Sequence, residues 1–181
     1  MLIKIAFGDY GNPIPIYPLP QDGRGFSPSE LAMANYNLTV YRVDRLKIAM
    51  ELADAEIIPV ANNGRSIHYY RGGQSLKLGD ELLTITSVDM VNQKLLVTRG
   101  VIPTYHPRAD IIRHIISQSP TAVSWDPVYR RLILTPEASM VDFDGVYNME
   151  IEIDTGTRRA ICLCDNSKEP YKLIAYDDVS G

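Results

Sequence analysis

Apolar and polar side chains alternate with a period of two along much of this chain, and that pattern restricts its fold more than any other feature. Met149, Ile151 and Ile153 alternate with Glu150, Glu152 and Asp154, and Leu38 and Val40 alternate with Asn37, Thr39 and Tyr41. Successive side chains of a strand point to opposite faces, so such a run buries one face and wets the other. Leu46, Ile48, Met50 and Leu52 continue the pattern, and Asp44-Arg45 before them can form a tight turn between two strands.

Shorter strands are expected at 67–71, 111–116, 122–125, 129–135, 158–164 and 172–176. Ile111, Ile112, Ile115 and Ile116 also fit a helical stripe, but four β-branched residues favour the strand. The clearest unit is a hairpin. Gly79-Asp80 leads into a strand at 81–88, a turn covers 89–93, and a second strand at 94–99 ends at Gly100. One helix start stands out: Ser27 can cap, Pro28 suits the first helical position, and Glu30 lies three residues after the cap. The expected fold is therefore all-β and mainly antiparallel, as small β-sandwich or barrel domains with one or two short helices.

Punctuation divides the chain into an extended arm (1–28), a β domain (29–118) and a small C-terminal β-sandwich-like domain (119–181), the last break falling at Ser119-Pro120. The arm is rich in Pro, Gly and Tyr. Its prolines remove backbone donors and hold the chain extended. Its apolar teeth Tyr10, Ile14, Ile16, Tyr17 and Leu19 are too greasy for a free linker. Two readings stay open: the arm lies across a neighbouring molecule, or it folds back on its own domain.

With a net charge of −4 and no run of one sign, the chain lacks the clustered Lys and Arg that phosphate neutralisation needs, so no nucleic-acid partner is expected. No stretch approaches the ~20 apolar residues needed to span a bilayer, and 1–7 is too short for a signal peptide. A reducing cytoplasm fits Cys162 and Cys164, near neighbours that would strain if bridged and that make a poor zinc site alone. His68, His106 and His114 lack metal-binding spacing, and no Gly-x-Ser-x-Gly elbow or phosphate cradle is present. Glu150 and Glu152 share a strand face, where they read first as a solvated surface. No catalytic residues, metal site or cofactor are expected.

The hairpin carries one recognisable pattern. Gly79-Asp80-Glu81-Leu82-Leu83-Thr84-Ile85, the Val88-Asp89 turn, Leu95-Leu96-Val97-Thr98-Arg99-Gly100-Val101, and then Thr104 and His106 resemble a segment of tailed-bacteriophage virion proteins. Pro103 stands where that pattern has Gly, and the spacer before the His is shortened. The resemblance covers about 30 residues, and the C-terminal strands are similar to add-on β domains of phage tail and baseplate proteins. It implies a structural virion component of the tail, baseplate or neck, in multiple copies, assembled in the host cytoplasm. Its partners would be copies of itself and other virion proteins, with no enzyme activity. A capsid decoration protein is the alternative, and a small β-type cell-wall hydrolase a more distant one.

Independently, Arg99 offers a planar fork of donors and Gly100 can adopt unusual backbone angles, so together they can end the hairpin and pin the loop 101–106. The candidate interaction or structural residues are therefore Tyr10, Ile14, Ile16, Tyr17, Leu19, Arg99, Gly100, Thr104 and His106.

Overall fold

The computed structural model describes residues 2–17, 19–20, 23–60, 66–163 and 170–176, and it is all-β and mainly antiparallel. In chain order the strands are β1 (Leu2–Ala6), β2 (Ile14–Ile16), β3 (Leu19–Pro20), β4 (Asn35–Leu46), β5 (Glu56–Ile57), β6 (Pro59–Val60), β7 (Ser75–Leu78) and β8 (Glu81–Asp89). They continue with β9 (Lys94–Thr98), β10 (Ile111–Ser119), β11 (Val123–Asp126), β12 (Arg131–Leu134), β13 (Gly145–Asp154), β14 (Arg159–Leu163) and β15 (Tyr171–Tyr176). The single α-helix among the described residues, α1 (Pro28–Met33), starts as the sequence predicts. Ser27 accepts from the Glu30 amide, and Glu30 reaches back to the Ser27 amide. That capping box satisfies two amides that a helix start otherwise leaves open.

Two compact units divide the chain: 1–40 with 117–181, and 41–116. The punctuation at Ser119-Pro120 lies close to one boundary. The other boundary falls inside β4, where no turn residue marks it.

In the first unit, β1, β15, β13 and the N-terminal part of β4 follow one another, while β11, β12 and β2 form a second, three-stranded sheet. β13 does double duty. Its 145–149 half pairs with β15 and its 151–154 half with β14. Met149, Ile151 and Ile153 are fully buried, as their alternation requires. β1 pairs in parallel with β15, in register from Leu2 on Lys172 to Ala6 on Tyr176, and buries Ile3 and Ile5. Within 1–28, β2 is laid antiparallel on β12 with Ile16 fully buried, and β3 pairs with β14, so these two strands join the sheets of the first unit, whereas Tyr17 is exposed.

In the second unit the C-terminal part of β4, β10, β7, β8, β9 and β5 follow in that order. The β8–β9 hairpin has the predicted turn, where the Asp89 carboxylate accepts from the Val91 and Asn92 amides. A bulge between Ile85 and Ser87 shifts its register. Leu76, Leu78, Leu83, Ile85, Leu95, Val97 and Ile112 build the core.

Three expectations are corrected here. Asp44-Arg45 is not a turn but lies within β4. The Asp44 carboxylate is buried and accepts from the Tyr70 hydroxyl at 2.5 Å, a partner 26 residues away that local sequence cannot reveal. Residues 47–52 are not a strand. Of the alternating set only Met50 is buried there, through an isolated bridge to His106, whereas Ile48 and Leu52 are exposed. The 67–71 strand is largely a 3-10 turn at Ser66–Tyr69, with Ile67 in the core. β1 and β7 were not anticipated, although Ile3/Ile5 and Leu76/Leu78 do carry the alternation. The expected end of the 158–164 strand at Cys164 lies outside the described residues; Cys162 is buried.

Candidate functional site

The hairpin places Glu81 at the start of β8 and Arg99 just past the end of β9. Both side chains turn inward, 1% and 9% exposed. The pair is bidentate: Arg99 Nε donates to Glu81 Oε1 at 2.8 Å and Nη2 to Oε2 at 2.7 Å. Matching a planar fork to a planar carboxylate in this way gives direction as well as Coulomb attraction.

The fork has further work. Nη2 also donates to the Thr104 carbonyl at 2.5 Å, and Nη1 donates to the Glu51 carbonyl at 2.5 Å. One guanidinium thus holds two loops, 101–106 and the tight turn at 51–54. That turn closes on itself through Glu51 N to Asp54 Oδ2 at 2.7 Å and Asp54 N to Glu51 O at 3.1 Å.

Glu81 Oε2 is crowded with donors. Besides Arg99 it accepts from Thr104 N at 2.9 Å and from Thr104 Oγ1 at 3.1 Å, and it lies 3.0 Å from His106 Nε2. The other ring nitrogen, His106 Nδ1, lies 3.0 Å from Asp110 Oδ2. The His106 backbone closes the site by exchanging both hydrogen bonds with Met50, at 2.8 and 3.0 Å. Gly100 is required by close approach. A Cβ there would stand 3.0 Å from the Leu82 carbonyl oxygen, which as backbone cannot yield cheaply.

Arg99 first, then burial in opposition, then Thr104 and His106 set the charge of Glu81, and the net effect holds its carboxyl far below the usual range. The same pairing raises the Arg99 guanidinium further above its usual value. The Thr104, His106 and Asp110 side chains have a hydroxyl, an imidazole and a carboxylate in line, at 3.1 and 3.0 Å. Yet the hydroxyl donates to Glu81, and His106 Nε2 faces that same carboxylate. A proton acceptor for nucleophile activation must have a free lone pair. Here the arrangement works as a clamp.

A second buried polar group lies in the same unit. His114, fully buried, stacks on Tyr70 with ring centroids 4.3 Å apart. Its Nε2 is 2.8 Å from Gln74 Oε1, which also accepts from the Arg71 amide, so Nε2 carries the hydrogen. Nδ1 has no partner among the described residues. Burial, aided by the Arg42 charge, pushes the imidazole down to about 3.

Four of the sequence-selected residues, Arg99, Gly100, Thr104 and His106, therefore meet in one cluster. Sequence reading missed Glu81, Glu51 and Asp110 as their partners. Glu81 could have been found, since the hairpin register sets it two positions from the one opposite Arg99, a diagonal that a long side chain can reach. The residues selected from 1–28 do not gather with them. Ile16 is buried in the first unit, Tyr10 and Ile14 are half-buried, and Tyr17 is exposed; the Leu19 side chain lies outside the described set.

Tyr17 borders the other notable feature, a cavity of about 260 Å³ in the first unit. Ile16, Phe26, Leu31, Trp125, Leu132 and Ile153 supply its apolar wall, and Arg130 and Arg131 stand on it. Arg131 pairs with Asp126 at 3.3 Å and lies over the Tyr129 ring, whereas Arg130 is exposed, with no ion-pair partner among the described residues. Arg158 stacks on Phe26 and donates to the Gly25 carbonyl.

No protein-family model matches this chain, and no curated protein matches it either. Among the described residues no group of His, Cys, Asp or Glu could hold a metal ion, and no helix is long and apolar enough to cross a membrane.

Proposed function

We propose that this chain is a structural component of a bacteriophage virion, present in multiple copies in the tail, baseplate or neck. One observation carries the reading: the polar residues of the phage-like pattern, Glu81, Arg99, Thr104 and His106, are bonded to one another in a single cluster around the buried Glu81 carboxylate. A pattern whose members brace one another is a unit of architecture. This one makes a loop rigid and leaves its outer side chains to solvent. Val101, Ile102 and Tyr105 in that loop are 101%, 79% and 53% exposed. A preorganised apolar loop loses little entropy on docking, which suits a part that must fit repeatedly against identical or neighbouring parts. Its partners are copies of itself and other virion proteins, engaged through such loops and through free strand edges like that of β1.

The test is quantitative mass spectrometry of purified particles, with the solution mass of the isolated chain beside it. A stoichiometric presence at a small ring number is expected. Hundreds of copies per particle would move the protein to the capsid surface, and absence from particles would overturn the reading.

A further inference from the structure

The clamp and the cavity have complementary chemistry. Arg99 binds both the 51–54 turn and the 101–106 loop, and these two joined segments carry the exposed Leu52 (60%), Val101 and Ile102. Glu51 in the same turn is exposed, with no ion-pair partner among the described residues. The cavity of the first unit is the reverse: aromatic and aliphatic walls at Phe26, Trp125 and Leu132, with the unpaired Arg130 at its edge. Exposed apolar side chains next to a carboxylate, and an apolar cavity lined also by Arg130, with neither charge ion-paired among the described residues, are complementary in chemistry between two copies.

We infer that the cavity of one copy receives the Leu52/Ile102 surface of another, with Glu51 opposite Arg130. This rests on the multi-copy reading above and names the surfaces it would use. A contact joining different patches on the two partners is heterologous, and repeated it closes a ring or extends a filament. Buried apolar area supplies the attraction, while the charge pair selects the register.

The full chain, followed by sedimentation velocity over a concentration series, tests this. Glu51→Arg and Arg130→Glu should each weaken self-association by roughly tenfold, and the doubly swapped chain should recover most of it. Leu52→Asp and Ile102→Asp should weaken it further. Circular dichroism melts of every variant identify any change in association that comes from unfolding instead. If the wild-type chain associates and the single swaps leave it unchanged, or the double swap fails to restore it while folded, this inference falls and the multi-copy reading stands. If the wild-type chain remains monomeric at all concentrations, this contact falls, while the copy number in particles decides the multi-copy reading.

Discussion

Glu81 is the residue on which the second unit's loops depend. Removing it leaves Arg99 buried without its counter-charge, and an uncompensated buried charge costs far more than a surface pair contributes. Glu81→Ala should therefore destabilise the protein by about 3 kcal/mol or more in urea unfolding. Arg99→Lys should fall well short of rescue, because an ammonium cannot bridge Glu81, Glu51 and Thr104 in the same plane. Two other buried residues, His114 and Asp44, shift proton uptake in opposite senses. His114 takes a proton in the folded chain only near pH 3, but in the unfolded chain near ~6.5. Its contribution is thus complete above about 6.5 and is lost as pH falls toward 3, at about 1.4 kcal/mol per pH unit at most. Asp44, raised by burial, acts in the other sense: the folded chain takes up its proton first. Unfolding free energy measured between pH 7 and 5 should decline in the wild type and flatten in His114→Phe. A slope unchanged by that substitution would refute the assignment.

At the scale of elements, the N-terminal segment shows how a single residue decides what a strand is for. Ile16 is fully buried in β2 against β12, so this strand contributes to its unit's core. Ile16→Ala should cost about 2–4 kcal/mol by leaving a cavity next to Leu132. Deleting 8–20 should therefore compromise the fold, as expected of a segment that folds back on its own domain. In the hairpin, Gly100→Ala sets a methyl 3.0 Å from the Leu82 carbonyl and must push strand ends apart. A loss on the order of 1–3 kcal/mol is expected, of the size typical for overpacking, seen as a lowered urea midpoint. The short helix is cheaper to perturb: Ser27→Ala should cost about 1 kcal/mol, because the capping box is its chief local support.

Across the whole molecule, acid sensitivity is unevenly placed. Glu81, depressed by its donors, contributes stability that is present above about pH 4 and lost as pH falls through its lower folded value. His114 adds its loss in the range above that. Both lie in the second unit, while the side chains that β13 of the first unit buries, Tyr147, Met149, Ile151 and Ile153, include no carboxyl or imidazole. Hydrogen exchange at pH 4 should therefore show β8 and β9 losing protection before β13. The reverse order would show that the clamp does not set local stability.

The alternation of Met149, Ile151 and Ile153, the Asp89 turn, the Ser27 box and the Arg-Gly hairpin end were all legible in the sequence. Each depends on neighbours within a few residues, where side-chain period and backbone preference act directly. What tertiary structure alone decided is different in kind. It turned Asp44-Arg45 into strand by giving Asp44 a buried partner in Tyr70. It broke the 46–52 alternation by pairing Met50 with His106, and it gave β1 a parallel partner at the far end of the chain. Glu81, Glu51 and Thr104 meet Arg99 only once the hairpin and two loops converge. Period and propensity report which face a residue shows, but contacts between distant residues are set by the three-dimensional path that brings their partners within reach.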